Sequence, residues 1–240
     1  MSDEQEPIPY KLTIMKDGQP VDCDTSKGVT GDVTVLYPSG DKYEGPYFNG
    51  RRDTRIVPVE GATSTKKVKA KKGLYTFSNG DSYEGGWCTN LKHGIGRFNF
   101  KLGGSYHGEF VKGQRHGQGL FHYANKDRYS GEWKYGKKHG KGTYIIDASD
   151  IKLVGEWFEG QITSGKWILP NGDTYEGKFK HNKPIGNATW TLSNGNKLRG
   201  AYEQQILDVD EHGHEDSPLD PETGLRVSID WKTSAITSAC

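Results

Sequence analysis

Apolar positions along this chain form neither a helical stripe nor long buried runs. They arrive in short bursts of the form aromatic, polar, Gly, polar, aromatic. Tyr83-Glu84-Gly85-Gly86-Trp87, Tyr106-His107-Gly108-Glu109-Phe110 and Tyr129-Ser130-Gly131-Glu132-Trp133 show the pattern most fully. Leu153-Val154-Gly155-Glu156-Trp157 and Tyr175-Glu176-Gly177-Lys178-Phe179 repeat it. Outer copies stand at Tyr43-Glu44-Gly45-Pro46-Tyr47 and Leu198-Arg199-Gly200-Ala201-Tyr202. Alternate residues of a strand share one face. Each burst therefore predicts a strand with two rings and a Gly on one side and a polar residue, often Glu, on the other. A Gly between rings lets the backbone bend and gives the rings room.

The bursts recur in register. Starts at 83, 106, 129, 153, 175 and 198 are separated by 23, 23, 24, 22 and 23 residues, while the step from 43 to 83 is 40. The first unit therefore carries an insertion, at about 52–72. A second landmark, His-Gly-x-Gly, falls at His93, His116 and His139, and fades to Ser164-Gly165 and Ile185-Gly186. Turns of the Asn-Gly-Asp kind stand at Asn79, Asn171 and Asn194, with Ser39-Gly40-Asp41 before them. Asn-Gly marks hairpins because both central residues tolerate positive φ. Each unit thus holds two short strands and two turns. One hairpin alone is marginal in water, so stacking several is what buries the rings.

The run from Tyr129 to Tyr144, Tyr-Ser-Gly-Glu-Trp-Lys-Tyr-Gly-Lys-Lys-His-Gly-Lys-Gly-Thr-Tyr, resembles the consensus of the MORN (membrane occupation and recognition nexus) family. The resemblance covers roughly residues 31–203. It implies an all-β fold, an elongated single antiparallel sheet of stacked hairpins curled into a groove. It divides the chain into an N-terminal extension with a capping hairpin at 1–30, a repeat array at 31–203 and an acidic-to-mixed tail at 204–240. It also implies a scaffold rather than an enzyme. A short, nearly pure repeat chain is most similar to the MORN proteins of the ciliary radial spoke head. That implies a cytoskeletal location in the axoneme of a cilium or flagellum, and partners that are other proteins of a large assembly.

Composition alters this picture little. Hydrophobic residues are only 32% and Gly numbers 33, but 13 Tyr and 6 Trp argue for a folded chain with an aromatic core. A net charge of +1 gives no global drive toward nucleic acid or membrane. The acidic start Met1-Ser2-Asp3-Glu4 is no secretory signal, and Cys23, Cys88 and Cys240 form no disulfide framework, so a reducing cytoplasm is expected.

Candidate chemistry is sparse. His93, His116 and His139 recur on successive hairpins about 10 Å apart, too far to share a zinc ion. Asp208, Asp210, Glu211, His212, His214, Glu215 and Asp216 read as a solvated acidic segment. Glu109, Glu132 and Glu156 follow the repeat and read as a polar face. No nucleophile elbow or phosphate loop is present, so no catalytic residue, cofactor or metal is expected. Two surfaces remain. Tyr83, Trp87, Tyr106, Phe110, Tyr129, Trp133, Trp157, Tyr175 and Phe179 form one ring stripe. A single-layer sheet should leave part of it exposed, as a groove for a helix or extended peptide. Lys66, Lys67, Lys69, Lys71 and Lys72 make a basic loop suited to acidic lipid or an acidic protein. No aromatic residue interleaves these lysines, which argues against nucleic acid. Open terminal strands leave homodimerisation as a further route.

Overall fold

A computed structural model describes residues 10–16, 19–55, 71–207 and 226–238. Every regular element among them is a β-strand, and neighbouring strands run antiparallel. The chain divides into two compact units, 1–117 and 118–240.

The first unit opens with a hairpin of β1 (Lys11–Lys16) and β2 (Gln19–Cys23), and β1 also pairs with β3 (Gly31–Leu36). Next come β4 (Lys42–Phe48), β5 (Arg51–Arg52), β6 (Gly73–Thr76), β7 (Ser82–Cys88), β8 (Leu91–Asn99) and β9 (Ser105–Val111). Both β5 and β6 pair with β4, so they are two halves of one strand that the insertion interrupts. The unit boundary falls within β10 (Gln114–His122). The second unit continues with β11 (Arg128–Lys134), β12 (Lys137–Ile146), β13 (Ile151–Phe158) and β14 (Gln161–Ile168). It ends with β15 (Thr174–Lys180), β16 (Lys183–Thr191), β17 (Lys197–Leu207) and β18 (Arg226–Thr237), each paired with the strand before it. Residues 226–237, expected as tail, thus fold back as a strand on β17.

Register explains the repeated glycines. In the second unit Gly131 faces Gly142, which faces Gly155, which faces Gly165, which faces Gly177. A Cβ built on Gly142 would lie 2.3 Å from Tyr129 Oη. The ring of each hairpin's Tyr therefore lies over the glycine row, in space that side chains would otherwise fill. Its hydroxyl donates to a carbonyl three residues on: Tyr83 to Gly86 at 3.0 Å, Tyr106 to Glu109 at 3.1 Å and Tyr129 to Glu132 at 3.1 Å. The other glycine of the His-Gly-x-Gly landmark has a different reason. Gly140 sits at φ +55, and the Glu132 carboxylate lies where its side chain would be. Glu132 also accepts from Lys141 N at 3.2 Å, across a bulge between Gly131 and Glu132.

The turns stitch one hairpin to the next. Asp41 accepts from Ser78 N at 2.7 Å, Asp81 from Lys101 N at 2.9 Å, Asp127 from Asp147 N at 2.9 Å and Asp173 from Ser193 N at 2.7 Å. Burial pushes the Asp41 carboxyl up, but the bonds from Ser78 N and Tyr75 Oη outweigh it and leave it below the ordinary value.

Candidate functional site

The ring stripe is built by the strands as the alternation predicts, but it is closed. Tyr83, Trp87, Tyr106, Phe110, Tyr129, Trp133, Trp157, Tyr175 and Phe179 are all buried. The stripe is therefore not an exposed groove, contrary to what a single-layer sheet led us to expect. Three features cover it. Tyr83 and Tyr129 each wedge edge-on between two rings: Tyr83 meets Trp87 at 5.2 Å and Phe110 at 5.0 Å, and Tyr129 meets Trp133 and Trp157, both at 5.2 Å. The second strand of each hairpin adds rings, among them Phe121, Tyr144, Trp167 and Trp190, which pack beside the first set. The third cover is a row of cations, which the sequence reading missed.

Arg52 lies with its Cζ 4.7 Å from the Trp87 ring centre and 4.8 Å from that of Tyr75. Lys92 Nζ lies 4.7 Å from the Phe98 centre and 5.6 Å from that of Tyr83. Arg115 Cζ lies 5.8 Å from the Tyr106 centre, and Lys138 Nζ lies 4.5 Å from that of Trp157. Register sets these positions, since Arg52 is opposite Tyr47, Lys92 opposite Trp87 and Lys138 opposite Trp133. Each long side chain covers apolar surface with its stem while its charge meets ring faces. Burial lowers the Lys92 ammonium, and Arg115 adds to the effect. The signal was present in the chain, as a Lys or Arg directly before each His-Gly-x-Gly landmark. Its meaning needs the cross-strand partner, which spacing alone does not supply.

The recurring Trp indoles also have a fixed partner. Trp87 Nε1 donates to Gly73 O at 3.2 Å, Trp133 to Gly119 O at 3.3 Å and Trp157 to Gly142 O at 3.2 Å. Gly73 thereby occupies the place of the second landmark glycine, on the far side of the insertion.

The insertion leaves from a rigid root. Thr54 N donates to Trp87 O at 3.0 Å, and Trp87 N donates to Thr54 Oγ1 at 2.8 Å. Buried Asp53 accepts from the Arg55 guanidinium, which holds its carboxyl below the ordinary range. Lys66, Lys67 and Lys69 lie outside the described residues. Lys71 pairs with Asp32 at 2.5 Å and Lys72 with Glu84 at 3.4 Å. These two charges are thus matched by the sheet's own carboxylates, in exposed pairs of small energetic weight.

The open space lies elsewhere. In the second unit, on the face opposite the rings, a groove of about 590 Å³ is lined by Gln118, Ser130, Glu132, Lys141, Thr143, Val154, Glu156 and the glycines Gly131, Gly142 and Gly155. Val154 is an exposed apolar side chain there. The lining offers hydroxyls, carboxylates, a cation and one aliphatic contact across neighbouring strands. It suits a polar peptide better than a small apolar ligand. Of the recurring glutamates, Glu132 and Glu156 line this groove. Among the described residues no cluster of three His, Cys, Asp or Glu side chains offers a metal site. The acidic segment at 208–216 lies outside the described residues.

The fold can now be set beside known proteins. The MORN repeat model matches residues 72–82, 106–128, 129–147 and 175–197. Those four stretches are similar to MORN repeats. No curated protein sequence matches it. Among solved structures it is similar to the TCP domain of Drosophila melanogaster SAS-4 in complex with a proline-rich motif of Ana2. That likeness is at 12% identity, over 83% of this chain and 94% of that one, with a TM-score of 0.44. The TCP10 domain of Danio rerio CPAP is similar at 10% identity, over 95% and 99% of the two chains, with a TM-score of 0.38. These likenesses are too weak to assign anything to this chain.

Proposed function

We propose that this chain is a non-catalytic scaffold that holds an extended segment of a partner protein against the ring-free face of its second unit. The observation that carries the reading is the 590 Å³ groove over the glycine row, with Val154 exposed within it. The buried rings stiffen the sheet behind the groove, which presents polar groups at strand spacing without further ordering cost. The assembly we propose is the ciliary axoneme. Its support is the resemblance of a nearly pure repeat chain to the MORN proteins of the radial spoke head.

The test is detergent extraction of ciliated cells carrying the tagged chain, followed by salt release of the pellet. The expected result is retention in the detergent-resistant axoneme and release together with radial spoke proteins. A Val154→Arg, Ser130→Arg variant that folds normally should move to the soluble fraction. Release of the unaltered chain with the detergent-soluble membranes would sink the reading and favour acidic lipid, with the Lys66–Lys72 loop as the contact.

A further inference from the structure

We infer that the second unit carries a separate recognition cleft for an acidic peptide, formed by the neighbouring turns at 134–137 and 158–161. The cleft rests on the scaffold reading only in that its ligand belongs to a protein partner. It has a volume of about 270 Å³ and is lined by Lys134, Tyr135, Lys137, His139, Phe158 and Glu159.

Two features mark this cleft. Tyr135 is 70% exposed and Phe158 57% exposed, while the rings one strand position inward are buried. Tyr135 also sits at φ +51, ahead of Gly136 at φ +81. A two-residue turn of this kind favours Asn, Asp or Gly at its first position, and a bulky aromatic there is costly. The matching turns carry Asn49 at φ +48, Lys112 at φ +49 and Glu159 at φ +49, so this backbone belongs to the repeat and the exposed ring is what is particular to this turn. The turn itself does not call for a ring, since Lys112 and Glu159 hold the same conformation.

The second feature is charge. Lys134 lies directly opposite Lys137 across the hairpin. Like charges in that register repel. Among the described residues neither lysine has a carboxylate partner, and the ring contact of Lys134 Nζ with Tyr135, at 5.8 Å, leaves its charge unmatched. Glu159 is the cleft's one carboxylate and pairs with neither. His139 packs its ring on Phe158 at 5.5 Å and forms one wall. Two cations against one anion, set between two open rings, match a segment with an apolar or aromatic residue flanked by Asp or Glu. The apolar residue would seat between Tyr135 and Phe158, and its flanking carboxylates would meet Lys134 and Lys137.

Fluorescence anisotropy of the full chain with a labelled peptide Asp-Glu-Phe-Glu-Asp tests this. Binding that weakens with salt is expected. Tyr135→Gly should weaken it several-fold with the thermal midpoint held or raised, because Gly suits that backbone. Lys134→Glu together with Lys137→Glu should weaken it at least tenfold. If the charge variant misfolds, Tyr135→Gly decides alone. No binding by the unaltered chain, or equal binding by Tyr135→Gly, overturns the inference. So does binding to phosphatidylserine vesicles without binding to the peptide, which would make the cleft a membrane contact. None of these results touches the groove reading, whose variants lie at Ser130 and Val154.

Discussion

Two adjacent hairpins of the second unit solve the same packing problem with opposite chemistry. In β11–β12 the residue opposite Trp133 is Lys138, and in β13–β14 the residue opposite Trp157 is Ile162. Farther along, Pro184 faces Phe179 in the same role. In the first unit cations fill this place, Arg52 opposite Tyr47 and Lys92 opposite Trp87. A ring face accepts either a stem tipped with charge or an aliphatic side chain, since both cover its apolar area and a cation adds attraction to the ring. The change follows the fading of the His-Gly-x-Gly landmark, which is lost where Ile162 and Pro184 stand. The lesson is that the repeat conserves a covering volume at this position rather than a charge.

The largest effect should come from removing the ring that both hairpins share. Trp157 carries the Lys138 ammonium on its face and faces Ile162 in its own hairpin. Trp157→Ala should lower stability by about 4 kcal/mol, within the range of buried Trp truncations. Trp133→Ala should cost less, because Lys138 keeps Trp157 as cover and can extend toward water. Urea unfolding of both variants, read by far-ultraviolet circular dichroism, checks the order. Equal losses would mean that the two hairpins do not share the ring energetically.

Exchanging the covering residue sharpens the comparison. Ile162 is 1% exposed and Lys138 9% exposed. Ile162→Lys must hide a charge with no water route, so it should cost about 3 kcal/mol, much of it as a depressed lysine pKa. Lys138→Ile exchanges a cation–ring attraction for a buried aliphatic side chain and should fall within about 1 kcal/mol of the parent. The same denaturant midpoints decide it. A large loss on Lys138→Ile would show that charge, not volume, is what the early repeats select.

Much of this architecture is legible in the chain itself. The hairpin alternation, the 23-residue step and the ring-bearing face were legible, because a strand's period of two and the Asn-Gly turns are local properties. The exposure of the ring stripe was not. It depends on what lies across the strand, and Lys138 reaches Trp157 only through a register set by the bulge at Gly131/Glu132. The glycines were legible as bends, but not as the floor under Tyr129. The recurring Glu132 was legible as a partner of the other face, yet its contact with Gly140 follows from that glycine's positive φ. The basic loop drew attention through its lysines, while the cleft at Tyr135 and Phe158 gave no repeat signal, since it departs from the repeat.

The smallest effect is a pH effect, and it compares the wedge tyrosines of the two regions. Burial raises Tyr83, Tyr106 and Tyr129 well above the ordinary tyrosine value, and raises Tyr175 to about 12, with Tyr202 adding to the Tyr175 shift. At Tyr106 the Arg115 charge opposes the rise, and loss of water outweighs it. In the unfolded chain a tyrosine ionises near pH 10. Each raised pKa means that the folded state keeps its proton longer than the unfolded state. The stability from Tyr175 burial is therefore whole below about pH 10 and is lost as pH rises through about 12. Tyrosinate absorbance should show a late step near pH 12 that disappears in Tyr175→Phe. The phenols of Tyr83, Tyr106 and Tyr129 should stay neutral until the chain unfolds. If the Tyr175 step instead falls near pH 10, its hydroxyl is wet, and the late hairpins close over their rings less completely than the early ones.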